Sequence, residues 1–262
     1  MNILQQIEAR TKERVAASKR VMPLEEVVRR ARQQATAAPF AFEKALRQKD
    51  IAFICEVKKA SPSKGVIAED FPYCRIAQDY EAAGAAAVSV LTEPYYFQGS
   101  DGYLQEIAGC VGLPLLRKDF TVDSYMIYEA KLLGASAVLL ICAMLDTAQV
   151  SEFLAVAHDI GLSALVETHS EAEVETALAA GARVIGVNNR CLKTFQVDIG
   201  LSGRLRKLVP PDVIFVSESG ISSPEAVEQL RQSGADAVLI GESIMRSSDK
   251  KLEIDRLRGY SL

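Results

Sequence analysis

Short apolar runs alternate with amphipathic stretches over most of the chain. The runs at 51–57, 86–91, 113–117, 137–142, 163–167, 184–187, 213–216 and 237–240 carry almost no polar face. That is the pattern of parallel strands buried on both sides. Between them, helical spacing of apolar positions runs through stretches such as 75–83, 124–133, 148–160, 171–180 and 224–232. Ahead of the first run, the chain from Asn2 to about Lys49 predicts helix. Ile3, Leu4, Ile7 and Val15 mark one apolar side among Glu8, Arg10, Lys12, Glu13 and Arg14. Met22-Pro23 interrupts it, and Pro23-Leu24-Glu25-Glu26 begins a new helix with proline and acids in its first turn. A third short helix is expected over 40–47.

The junctions repeat as well. Gly84-Ala85, Gly134-Ala135, Gly181-Ala182 and Gly234-Ala235 each close a helix and open an apolar run. A left-handed glycine ends a helix, and a small residue after it lets the chain turn tightly into a strand. The unequal spacing of the copies argues against a strict solenoid. Roughly eight serial βα units in a chain of 262 residues fit an α/β fold, a (β/α)8 TIM barrel with an N-terminal helical extension. The expected organisation is one domain over 1–262, with the extension at 1–49 and the barrel at 50–262. A doubly wound open sheet is the alternative, weakened by the lack of G-x-G-x-x-G after the first strand.

Composition narrows the partners. The net charge is -4 and the basic residues form no basic run, which argues against nucleic acid. No apolar stretch is long enough to span a membrane. Cys55, Cys74, Cys110, Cys142 and Cys191 are scattered without Cys-x-x-Cys or Cys/His spacing. Free thiols in a reducing compartment, the cytoplasm, are expected, with no metal.

In such a barrel the C-terminal strand ends form the active site. Here they offer Glu56 and Lys58, Thr92-Glu93, Arg117-Lys118-Asp119, Glu167, Asn188-Asn189-Arg190, Ser217-Glu218-Ser219-Gly220 and Gly241-Glu242-Ser243; the fourth end offers only Ala143 and Met144. Glu56 and Lys58, two apart, share one side of a strand. So much polarity at one end is costly unless a site uses it. The last two ends are glycine turns leading into helices, where backbone N–H groups converge on a phosphate. Burial and a neighbouring cation would lower the pKa of Lys118, while Lys58 would stay charged and hold an anion. Glu56, Glu167 and Glu218 are carboxylates whose pKa burial could raise. Proton shuttling at a carbonyl suits this set, and Schiff-base chemistry at a lysine stays open. His158 is expected at the surface or at a helix end, and His169, two residues past Glu167, as a solvated residue of a loop near the site.

The ordered set of motifs resembles the indole-3-glycerol-phosphate synthase family. Glu56-Val57-Lys58-Lys59-Ala60-Ser61-Pro62-Ser63-Lys64-Gly65 is similar to its signature. Ser89-Val90-Leu91-Thr92-Glu93 with Tyr96-Phe97-Gln98-Gly99-Ser100, and Leu113-Pro114-Leu115-Leu116-Arg117-Lys118-Asp119-Phe120, resemble its second and third loops. Leu165-Val166-Glu167, Gly186-Val187-Asn188-Asn189-Arg190, Ser217-Glu218-Ser219-Gly220-Ile221 and Ile240-Gly241-Glu242-Ser243-Ile244-Met245-Arg246 continue the series. The resemblance implies conversion of 1-(2-carboxyphenylamino)-1-deoxyribulose 5-phosphate to indole-3-glycerol phosphate, carbon dioxide and water, without a cofactor; a monomer is expected. It implies Lys118 as general acid, Glu167 as acid/base partner in dehydration and Lys58 as partner of a substrate anion. Glu56 would support the lysines. Asn188 and Glu218 with Ser219 would complete the catalytic set, and Arg190 and Ser61 would bind substrate. Phe97 and Phe120 would touch the anthranilate ring, and Gly220, Gly241, Glu242 and Ser243 would hold the phosphate. Cys191 stands where a polar residue is expected. A rival is the isomerase of a phosphoribosyl anthranilate, which wants a cysteine near the first strand, but Cys55 should face away from Glu56. A ligand sensor on a dead barrel is the other.

Overall fold

A computed structural model describes residues 3–35, 38–191 and 194–260; the expected start of the first helix at Asn2 lies outside them. Eight parallel strands, β1 (Ala52–Val57), β2 (Ala87–Leu91), β3 (Leu115–Lys118), β4 (Ala137–Ile141), β5 (Ser163–Thr168), β6 (Val184–Asn188), β7 (Ile214–Glu218) and β8 (Ala237–Ile240), close into a barrel in chain order. This is the TIM barrel. The open-sheet alternative falls, because β8 pairs with β1.

Alternation along the strands builds two cores. Phe53, Cys55 and Val57 of β1 face outward into the large cluster shared with the surrounding helices. Ala52 and Ile54 face inward with Leu116, Leu139, Leu165, Val216 and Leu239. Cys55 therefore points away from Glu56, as expected, and burial pushes its thiol up to about 12.

Strands β3, β5, β6 and β7 run past their apolar stretches into Lys118, Thr168, Asn188 and Glu218. The site side chains thus sit on the last rungs of the ladder, with Asn188 beside Glu218 and Glu167 beside Gly186. Strand β3 starts later than expected, after Pro114, which has no N–H for a ladder.

Helices α1 (Ile3–Val21), α2 (Leu24–Gln33) and α3 (Ala41–Leu46) precede the barrel. Phe42 and Leu46 of α3 pack on the opening residues of the strands, Ala52, Ala87, Ala137, Val184, Ile214 and Ala237, and close the N-terminal end. At the other end α1 reaches the barrel mouth. Arg14 donates to Asp119 Oδ1 at 2.7 Å and to the Thr92 carbonyl at 3.4 Å.

The outer helices are α4 (Tyr73–Ala82), α5 (Asp101–Cys110), α6 (Ser124–Leu132), α7 (Thr147–Asp159), α8 (Glu171–Ala179), α9 (Gly200–Leu205), α10 (Pro224–Gln232), α11 (Glu242–Arg246) and α12 (Lys250–Arg258). All four Gly-Ala hinges carry a left-handed glycine. After each, the alanine N–H bonds a carbonyl five residues back, as in Ala85 to Tyr80 and Ala182 to Ala177. Gly161-Leu162 makes a fifth such hinge, with a bulkier second residue. Among the described residues no helix is long and apolar enough to cross a membrane.

Candidate active site

A cavity of about 570 Å³ opens at the C-terminal end of the barrel, within the range of small-molecule sites. Every residue singled out from the sequence for catalysis or binding lines it: Glu56, Lys58, Ser61, Phe97, Lys118, Phe120, Glu167, Asn188, Arg190, Glu218, Ser219, Gly220, Gly241, Glu242 and Ser243. Ile3, Leu4 and Ile7 of α1 add an apolar wall.

Parity decides which strand-end groups reach the cavity. Lys118 points in, whereas Arg117 points out and is bound by Asp101 at 2.7 Å, Glu129 at 2.8 Å and the Met126 carbonyl at 2.9 Å. Asn188 points in. Asn189 instead bonds Ser217 Oγ and Ser202 Oγ outside the barrel. Glu93 accepts the N–H groups of Tyr95, Tyr96 and Phe97 and thereby shapes the loop that carries Phe97. Phe97 lies 5.9 Å from Phe120, centroid to centroid.

At the floor, Lys118 Nζ lies 3.4 Å from Glu167 Oε2 and 3.6 Å from Glu218 Oε2. Lys58 bonds Glu56. Burial alone would lower the pKa of Lys118, but Glu167, Glu218 and Glu56 outweigh it and hold the ammonium above its ordinary value. This corrects the expectation of a lowered pKa: the nearest neighbours are three carboxylates rather than a cation. Burial would raise Glu56 and Glu167, yet Lys58 and Lys118 hold the first below the usual range, and Lys118, His169 and a hydrogen bond from Asn188 do the same for the second. Only Glu218 follows the expected direction. Burial, helped by Glu167 and Glu56, pushes it up to about 7 against the pull of Lys118. Its Oε1 has no hydrogen-bond partner among the described residues, and a Cβ at Gly186 would stand 2.2 Å from that atom.

A raised carboxyl pKa means the folded state keeps a proton that the unfolded chain releases between about pH 4.3 and about 7. The contribution of Glu218 to stability therefore falls as pH rises through that window, by up to about 1.4 kcal/mol per pH unit. Urea unfolding midpoints from pH 5 to 8 should decline less in Glu218→Gln than in the native chain.

The loop after β1 folds into a small hairpin, Ala60–Ser61 against Gly65–Val66. Lys64 at its tip lies 3.4 Å from Glu242, which also accepts from Arg246 at 3.3 Å. Opposite, Ser219 and Gly220 both take positive φ (68° and 79°). Ser243 Oγ is buried without a partner among the described residues. A Cβ at Gly241 would stand 2.5 Å from Glu56 Oε1 and 3.0 Å from Lys58 Nζ, so glycine there lets the last loop close against the lysine-glutamate pair. Among the described residues no group of three or more His, Cys, Asp or Glu side chains is arranged to hold a metal ion.

His158 is half-buried in the last turn of α7, edge-on to Phe40. His169 is largely withdrawn from solvent rather than solvated as expected; its Nε2 is 3.4 Å from Glu167 Oε1. Position alone, two residues after Glu167, was its sequence signal.

A barrel whose mouth holds an ammonium among carboxylates and, across the cavity, two glycine turns defines an enzyme that moves protons on an anionic substrate. The indole-3-glycerol phosphate synthase family model matches residues 4–257. An indole-3-glycerol phosphate synthase from Ruminiclostridium cellulolyticum is 56% identical over 98% of this chain and 99% of its own length. Another from Lachnoclostridium phytofermentans is 49% identical over 98% of each. Among solved structures, a mutant tryptophan synthase α-subunit from Pyrococcus furiosus superposes with a TM-score of 0.61 at 14% identity, over 80% of this chain and 99% of that one. A thiamine phosphate pyrophosphorylase from the same organism gives 0.60 at 15% identity, over 82% of this chain and 96% of the other. At that identity the likeness is one of fold. The chain belongs to the indole-3-glycerol phosphate synthase family. It is a carboxy-lyase of tryptophan biosynthesis, closing the pyrrole ring of 1-(2-carboxyphenylamino)-1-deoxyribulose 5-phosphate with loss of carbon dioxide and water.

Proposed function

We propose that Lys118 is the acid of ring closure and Glu167 the base of dehydration, with the substrate phosphate on the turns after β7 and β8. The observation that carries this is the pairing of Lys118 with Glu167 at the cavity floor, facing Gly220, Gly241 and Ser243 across the same cavity. As the carboxylate-bearing ring carbon attacks the sugar carbonyl, that oxygen becomes an alkoxide, far more basic than an amine. Transfer from the Lys118 ammonium is then downhill even with its raised pKa. Loss of carbon dioxide returns the electrons of the broken bond to the ring. The new hydroxyl leaves as water when an acid protonates it and Glu167 takes the proton that restores aromaticity.

Glu218, with a pKa near 7, stays partly protonated at neutral pH and supports the carboxylate pair without adding a full third charge. Asn188 holds Glu167, and Ser219 turns the chain into the phosphate site. Glu56 keeps Lys58 directed at the substrate carboxylate. Arg190 and Ser61 flank the substrate, and Phe97 and Phe120, packed against each other, offer its ring one apolar wall. Ser243 Oγ, without a partner among the described residues, is a donor for the phosphate, and Glu242 holds Lys64 and Arg246 nearby.

The reading includes a cytoplasmic monomer, and a net charge of -4 supports a protein that binds no nucleic acid. Turnover of the substrate, followed by indole fluorescence beside an analogue lacking the phosphate, tests it. Product from the first, with kcat/KM for the analogue lower by about a hundredfold or more, is expected. Equal turnover of both would remove the phosphate site from the reading.

A further inference from the structure

His169 follows β5 directly and precedes Ser170, the N-cap of α8. Glu173, in the first turn of that helix, accepts the His169 backbone N–H at 2.8 Å and stands 3.2 Å from ring Nδ1. The other ring nitrogen, Nε2, is 3.4 Å from Glu167 Oε1, within ion-pair reach, and makes no hydrogen bond among the described residues. The imidazole is thus wedged between two carboxylates, one at the site floor and one on α8. Its side chain is 14% exposed.

A neutral ring has one N–H for these two acceptors, so one contact sets a nitrogen lone pair against a carboxylate oxygen. The cationic ring has a donor for each. Burial alone would lower the pKa of His169, but the hydrogen bond to Glu173 and the charges of Glu167, Glu173 and Glu218 hold it above the ordinary value. Among the described residues, Lys118, across Glu167, and Cys142 after β4 also act on these carboxylates. The Cys142 thiol, pushed up to about 12 by burial and by Glu173 and Glu167, stays neutral.

We propose that His169, as an imidazolium anchored by Glu173, is a positioning residue for the reaction: it holds Glu167 Oε1 so that Oε2 faces Lys118 and the substrate. The Glu167 carboxylate then has one oxygen committed to each cation. It is kept ionised between turnovers and in the orientation that dehydration uses. When pH rises through the pKa of His169, Glu167 loses one of its two cations and the fixed contact at Oε1, and the rate falls. The inference rests on Glu167 being the dehydration base.

The test combines kinetics with direct titration. His169→Leu should lower kcat roughly ten- to a hundredfold, with KM changed by about twofold or less and the acid limb of the kcat profile moved upward. His169→Gln, which keeps a neutral donor near the Nε2 position, should recover most of the neutral-pH rate and lose the high-pH inflection. The chain has two histidines, so His158→Gln leaves one ring to follow by proton NMR. That ring should titrate above the ordinary value of about 6.5, and lower in Glu173→Gln and in Glu167→Gln. If His169→Leu folds poorly, His169→Gln and the NMR titration carry the test. Native kcat and pH profile in His169→Leu or His169→Gln, or a His169 ring titrating at or below the ordinary value, overturns the inference. Glu167→Gln separates the two readings. If it is inactive while the His169 variants are native-like, the positioning role alone falls; if it turns over normally, the role of Glu167 falls first.

Discussion

Lys118→Ala is expected to lower kcat by about a thousandfold or more, within the range for loss of a general acid that also stabilises developing charge. The effect should be on kcat more than KM, because the alkoxide that Lys118 meets exists only along the reaction path. The same ammonium holds Glu56 and Glu167 below the usual carboxylate range. Without it, Glu167 loses the largest of the charges that offset its burial, so its pKa rises and the base is weakened together with the loss of the acid. Removing one partner of a buried ion cluster costs about 3–5 kcal/mol. Circular dichroism melts must therefore accompany the rates, and Lys118→Met, which fills the same space, should be as inactive and somewhat more stable. A folded Lys118→Ala with more than about a tenth of native kcat would move the proton donor to Lys58.

Phe42→Ala is expected to destabilise the chain by about 3–5 kcal/mol with little change in kcat. The Phe42 ring is fully buried at the N-terminal end of the barrel, in the cluster that includes Ala52, Ala87 and Ala137. These small residues leave a space that only the α3 side chains fill, and the rigid strand ends cannot collapse into it. At a few degrees per kcal/mol for a chain of this size, the melting temperature should drop by about 8–15 °C. Unfolding curves and kcat measured on one preparation check both halves. A melt unchanged within about 2 °C would mean that α3 does not close the barrel in solution.

The barrel was legible because it is written redundantly. Gly-Ala hinges, two-sided apolar strands and amphipathic helices all state one period, and the ends drift by a residue or two where polar side chains continue the ladder. Helices α5, α9 and α12 escaped notice, having few strongly periodic apolar positions; α5 buries only Leu104 and Ile107. The site was legible by its motifs and by strand parity. Once Lys118 and Glu56 are inward, Arg117 and Cys55 must be outward. What one dimension hides is who stands across the barrel. Lys118 sits beside Arg117 in sequence, which suggests a lowered pKa, but in space Glu167 and Glu218 face it from strands far along the chain. His169 does lie in a loop, but its burial against the site is hidden in the sequence, because neither Glu173, four residues on, nor the inward turn of the ring is visible as a pattern. The covering role of α3 was hidden for the same reason: it depends on alanines drawn from several strands.

The central claim is that one cavity holds the phosphate at the turns after β7 and β8 and presents the reacting oxygen to Lys118. The most direct measurement is a crystal structure with indole-3-glycerol phosphate bound. The account predicts phosphate oxygens within about 3 Å of the backbone N–H groups around Gly220 and Gly241 and of Ser243 Oγ, with the indole ring at Phe97 and Phe120 near Lys118. A phosphate bound outside those turns, or an indole ring remote from Lys118, would contradict it.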